Sequence, residues 1–203
     1  MNECYMTLFL NFCAAFLTSW ILSNTINHQA LSQESDAARK YKVIDSSVCF
    51  NYLNEPVRSE NRKSLGTPIA AGMAIRDETD APVIFRFNYD ISPPAFQKFI
   101  DYHECAHHQT GDVDLPHPPR NSPEHLMNES IADCVAILRI KKELEGDQSD
   151  YELVIGSLKE AMAILGFPEI SMNSRIANIK HCYTNYGLAG TFIRGVLRKR
   201  GLP

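Results

Sequence analysis

The sequence predicts an α+β domain, mainly helical, with a small β-sheet just before its first long helix. Three observations lead there. The 203 residues suit one domain with a short appendage. Two short runs rich in β-branched and aromatic residues, 72–76 (GMAIR) and 82–90 (PVIFRFNYD), flank a polar turn at 77–80. Beyond residue 91, apolar residues recur at helical spacing in segments that open on Ser-Pro and close on glycine. With 44% hydrophobic and 22% charged residues, the chain can bury a real core. Its net charge of −4 carries no single-sign field, which argues against a dedicated nucleic-acid binder. The one basic cluster, Arg198-Lys199-Arg200, reads as a solvated helix end. No glycine-rich phosphate loop or internal repeat is visible.

The first thirty residues read as a signal peptide or membrane anchor ahead of a domain at 31–203. Residues 5–22 form an apolar run just long enough to span a bilayer. Against a plain signal peptide, Glu3 stands where positive charge is usual, no Lys or Arg precedes Arg39, and His28 is a poor −3 residue if Ala30 is −1. Membrane association through 5–22 and export to a periplasmic or extracellular compartment are therefore expected, with a buried helix as the alternative. Cys4 and Cys13 belong to this run. The remaining four cysteines, Cys49, Cys105, Cys134 and Cys182, are an even set that fits two disulfides in an exported domain, with three connectivities open. Four buried free thiols are the alternative.

Residues 31–41 are polar and read as a linker. The first long helix is expected from Ser92-Pro93, with Ser92 as cap and Gly111 as terminator. Phe96, Ile100, His103 and His107 share one of its faces. A proline-rich loop covers 112–121, and Ser122-Pro123-Glu124 opens a second helix running to about Glu145, before Gly146. Amphipathic stretches at 151–165 and 173–186 and a final helix with a basic end complete the chain.

The informative motif is His103-Glu104-Cys105-Ala106-His107, an H-E-x-x-H match. Positions i and i+4 share a helical face, so both imidazoles can reach one metal ion. That face is also apolar, and buried imidazole nitrogens need a partner that zinc can supply. Glu104 projects beside the ligands, where it can take a proton from a metal-activated water. A catalytic zinc needs a third protein ligand. The metzincin pattern fails, because Thr110 and Val113 stand where glycine and histidine are required. Cys49, in Ser-Val-Cys-Phe, lacks the glycine-flanked setting of a peptide deformylase. Glu124, Glu129, His108, His117, His125 and His181 remain. Glu129 is preferred because Glu129 and Asp133 stand at i and i+4: one carboxylate can bind metal while the other accepts a ligand histidine's N–H.

H-E-x-x-H followed by Asn128-Glu129-x-x-x-Asp133 resembles the gluzincin metallopeptidases, including the thermolysin-like and CAAX-prenyl-protease types, and is most similar to small exported bacterial relatives. The likeness covers about residues 95–140. It implies a zincin-like, minimal gluzincin fold, one zinc per chain held by His103, His107 and Glu129, support of His103 by Asp133, and Glu104 as general base for peptide-bond hydrolysis. Cobalt or manganese would suit the same ligands. Such enzymes supply a further oxyanion donor after the glutamate helix. The histidine of the CAAX-type His-Pro pair is absent here, where Phe167-Pro168 stands, leaving Arg175, His181 and Tyr183 as candidates. Zincins also bind peptide as an added strand, for which 82–90 is a candidate unless it is interior. In this frame Cys105 and Cys134 lie beside motif residues but off the metal face, so a bridge between the two zinc helices is expected, with Cys49 joined to Cys182. The expected function is an exported or membrane-anchored zinc endopeptidase acting on peptide or protein. A catalytically silent zinc-binding module that displays a surface to a protein partner is the alternative, and a partner-dependent protease is a third reading.

Overall fold

A computed structural model describes residues 48–63, 66, 68–143 and 148–203. The apolar run at 5–22, the linker at 31–41, Cys4, Cys13 and the helix end expected at Gly146 lie outside the described residues. The architecture is α+β and mainly helical, with one small curled sheet. Its strands are β1 (Cys49–Phe50), β2 (Pro56–Arg62), β3 (Ala71–Arg76) and β4 (Pro82–Phe87), in the order β1-β2-β4-β3. β2 runs parallel to β4, and the other neighbours are antiparallel. The β3–β4 hairpin is closed by Asp77, whose Oδ1 accepts the N–H groups of Thr79 and Ala81 at 2.8 and 3.0 Å.

β4 is therefore interior, with β2 on one side and β3 on the other. The segment 82–90 offers no edge to a peptide, and among the described residues the strand with an open side near the first long helix is β3. β2 falls inside the stretch 42–91 that the sequence marks as strand-like, but nothing there singles it out as a strand. In Pro-Val-Arg-Ser-Glu-Asn-Arg only Val57 is buried, so the alternation that marks a half-buried strand is missing.

Among the described residues five α-helices follow: α1 (Pro94–Gln109), α2 (Pro123–Glu143), α3 (Gln148–Ile164), α4 (Glu169–Asn185) and α5 (Ala189–Arg200). Ser92 does not cap α1. The Pro93-Pro94 pair moves the start on by one residue, with Pro93 in the cap position, and the Ser92 carbonyl instead accepts the Gln97 side-chain amide at 2.8 Å. Ser122 does serve α2, its hydroxyl accepting the His125 N–H at 3.2 Å. Gly111, at φ +77°, takes the left-handed turn that follows α1.

α1 holds two stripes apart. Asp101, Cys105 and His108, at i, i+4 and i+7, face the sheet. Asp101 receives a buried two-bond fork from Arg86 of β4 at 2.8 and 2.7 Å, and His108 Nε2 lies 3.1 Å from the Val83 carbonyl oxygen. Phe99, on another side of α1, joins Ile137, Leu138, Val154 and Ile179 in the interhelical core. Each such side chain contributes roughly 1.5–3 kcal/mol by leaving water.

Two disulfides form, but not with the expected pairing. Cys105 joins Cys49, and Cys134 joins Cys182. Cys105 belongs to the sheet-facing stripe and packs with Cys49, Val57 and Ile84, which carries it away from Cys134. Cys134 faces α4, where Cys182 is buried. The bridges thus fasten α1 to the sheet and α2 to α4. They close chain separations of 56 and 48 residues, each restricting the unfolded chain by about 4 kcal/mol on the loop-entropy model. Two disulfides are compatible with an exported protein. Among the described residues no helix is long and apolar enough to cross a membrane.

Candidate metal centre

His103 and His107 project from one face of α1, with Glu104 beside it, and Glu129 and Asp133 from one face of α2. The packing of the two helices brings three donors together. His103 Nε2 lies 3.2 Å from His107 Nε2 and 3.3 Å from Glu129 Oε2, and His107 Nε2 is 3.6 Å from Glu129 Oε1. The three donor atoms lie within 4.8 Å of one another, so the group could hold a metal ion.

The outer nitrogens explain why such a group wants a cation. His103 Nδ1 is 2.9 Å from Asp133 Oδ1, off the axis of an ideal hydrogen bond but at ion-pair distance. His107 Nδ1 is 3.0 Å from Asp112 Oδ2. An ionised carboxylate can only accept, so both Nδ1 atoms carry hydrogen. In the neutral rings both Nε2 atoms are then bare lone pairs, aimed at each other and at the Glu129 carboxylate. Only a proton or a metal relieves that convergence, and two imidazoles with one carboxylate are a recognised metal donor set.

Without metal, the proton takes this place. Burial works against charge on His103, but Asp133 and Glu129 prevail and push its pKa up to about 10. Burial likewise opposes ionisation of Glu129, yet His103, His107 and Arg175 hold it far below the usual carboxylate range. The stability each shift contributes has a defined window. His103, raised from 6.5, contributes fully below about pH 6.5 and loses that contribution as pH climbs through about 10. Glu129, depressed from 4.5, contributes above about pH 4.5 and loses it on acidification. The chelated protein is therefore expected to be most stable near pH 5–6, with Tm falling by roughly 5 °C or more toward pH 9. Melts in EDTA across that range measure it, and a Tm that stays flat or rises above pH 6 excludes the charged His103.

Comparison with known protein families, curated proteins and solved structures gives no match.

Around the donors, Arg175 of α4 forks onto Asp133, Nε to Oδ2 at 2.6 Å and Nη2 to Oδ1 at 2.8 Å, and Nη2 also lies 3.6 Å from Glu129. Burial opposes ionisation of Asp133, but Arg175 and His103 keep its carboxyl below the ordinary range. Glu104 falls between the metal face and the sheet face of α1. It is buried against β3 at Gly72, where an added Cβ would come within 2.4 Å of Glu104 Cγ, and it accepts the Ala74 backbone N–H. Burial raises its pKa, only partly offset by His103 and His107.

Of the three late candidates, the structure brings Arg175 alone to the centre. His181 is exposed and bonded to Asn185, and Tyr183 stacks on Tyr151 at 4.6 Å, two helical turns beyond Arg175. His108 is taken up by the sheet, while His117, His125 and Glu124 lie outside the donor group.

Two residues escaped the sequence reading. Asp112 follows the glycine that ends α1 and faces His107; Thr110 Oγ1 also donates to it at 3.0 Å. Burial opposes its ionisation, but His107 and Arg200 lower its pKa. An acid just past a helix-ending glycine was a usable signal. Arg200 was not legible. The basic tail is not wholly solvated, because Arg200 turns inward onto Asp112.

Proposed function

We propose that the chain is a gluzincin-like zinc metallopeptidase on a minimal zincin fold, working outside the reducing cytosol, either exported or anchored through residues 5–22. The observation that carries this is the convergence of three donor lone pairs on one point, beside a buried carboxylate that donates nothing to that group. A structural metal site has no use for such a carboxylate, whereas a hydrolytic one needs a general base. The two disulfides support an oxidising location.

His103, His107 and Glu129 would hold the zinc, which when bound supplies Lewis acidity for both the attacking water and the substrate carbonyl. Glu104 accepts the water's proton at its carboxylate and returns it to the leaving amine. Burial raises its pKa, which makes the carboxylate a stronger base than an exposed one. Asp133 and Asp112 fix the Nδ1–H tautomers of the two histidines. Arg175 holds Asp133 and brings positive charge toward the carbonyl oxygen as it becomes anionic. An extended peptide can pair with the open side of β3, next to Glu104.

The test is metal content and proteolysis on the full chain. One zinc per wild-type chain is expected. Glu129→Ala should weaken affinity by more than the about 100-fold that losing an outer partner costs, and cleavage of unfolded casein should vanish. A wild type that takes up no zinc at neutral pH overturns the reading. Zinc uptake with no hydrolysis of any peptide library favours the silent binding module.

A further inference from the structure

We propose that Arg200, at the end of α5, is a positioning residue for the metal centre, holding two of its three ligands in register from outside the helix pair that bears them. This rests on the metal reading above and extends it to a segment far from the motif in sequence.

One guanidinium spans two ligand-bearing segments. Its Nη1 donates to the Thr110 carbonyl at 2.6 Å and to Asp112 Oδ1, and Asp112 Oδ2 faces His107 Nδ1 at 3.0 Å. Its Nη2 donates to Asn128 Oδ1 at 2.8 Å, and Asn128 is the residue before Glu129. The planar fork thus ties the end of α1, behind His107, to the start of α2, beside Glu129. A lysine ammonium is a point charge and cannot match both directions.

Arg200 is itself placed with care. The Gly201 N–H bonds the Arg198 carbonyl at 3.3 Å and the Leu202 N–H bonds the Leu197 carbonyl at 3.0 Å, the paired bonds of a glycine-terminated helix end, with Gly201 at φ +69°. That turn lays Leu202 on Gly111, where an added Cβ would come within 2.4 Å of Leu202 Cδ1. Farther back, Ala189, Phe192 and Ile193 of α5 pack against Ala106 of α1 and Ala132 and Val135 of α2. The helix is thus seated on both ligand helices at its start and against Gly111 just past its end, so the Arg200 fork has a fixed base.

The experiment measures Zn²⁺ affinity by chelator competition and the visible spectrum of the Co²⁺-loaded full chain. Arg200→Ala is expected to raise the metal Kd about 10–100-fold and to shift the Co²⁺ bands, with far-UV circular dichroism unchanged. Arg200→Lys should fall between it and the wild type. Arg198→Ala, in the same basic tail but with a side chain that bonds, among the described residues, the Arg194 carbonyl, should match the wild type and so exclude a net-charge effect. A merely structural Arg200 would lower the metal-free Tm and leave the Co²⁺ spectrum of the folded variant alone. A folded Arg200→Ala with Kd within twofold of wild type and an unshifted spectrum overturns the proposal. If Arg200→Ala does not fold, Arg200→Lys decides: a threefold or larger rise in Kd with shifted bands supports the bridge, and wild-type values overturn it. Absence of metal binding by the wild type removes the metal reading itself and this inference with it, an outcome distinct from unaltered binding by the variants.

Discussion

Glu104→Gln is expected to lower peptide hydrolysis by about 10²–10⁴-fold while zinc stays bound. Glutamine keeps the size of the side chain and an oxygen that can accept the Ala74 N–H, so the contact with β3 survives. It cannot take up a proton. The metal donors His103, His107 and Glu129 are untouched, which separates loss of the base from loss of the ion. The bare approach at Gly72 makes the position exacting: Glu104 rests where no β-carbon could stand opposite, so its carboxylate has little room to turn away. Steady-state rates on an unfolded protein, with zinc counted in the same preparation, settle the matter. A variant that cleaves at the wild-type rate assigns the base elsewhere.

Asp133→Ala should cost about 3–5 kcal/mol of stability, which in a domain of this size lowers Tm by roughly 10 °C. Asp133 is fully buried between His103 and the Arg175 fork. Its removal strands the guanidinium, only 24% exposed, with no carboxylate nearer than Glu129 at 3.6 Å. Most of the cost is that stranded charge rather than the lost bonds, so the double variant Asp133→Ala/Arg175→Leu should recover part of the loss. Thermal melts of the chelated proteins measure both. A loss below about 1 kcal/mol in the single variant, or no recovery in the double, contradicts this account.

What the sequence could disclose was local. His103 and His107, like Glu129 and Asp133, stand four apart on helices whose starts are marked by Ser122 or by Pro93-Pro94, and that spacing alone sets each pair on one face. The hairpin at 77–80 and the left-handed Gly111 were legible for the same reason, since a turn needs only its own few residues. The rest depended on neighbours distant in sequence. β2 is held by its partners rather than by any pattern of its own, and the interior place of β4 follows from pairing with it. The cysteine connectivity turned on which way Cys105 leaves α1, and the sheet anchors Asp101 and His108 decide that. Arg200 meets Asp112 across 88 residues, and no spacing rule spans such a gap.

The opposite facing of sulfur and imidazole on α1 bears on how the protein matures. Thiolates bind zinc more avidly than imidazole and carboxylate do, so a cysteine aimed into the centre would capture the ion and then be shielded from oxidation. Cys105 sits two residues from His103 yet bonds Cys49, and Cys134, next to Asp133, bonds Cys182. Bridge formation and ion uptake therefore draw on separate atoms. Neither event would have to await the other, and a chain that met a metal ion late, after its bridges had closed, would still find all three donors free of the sulfurs.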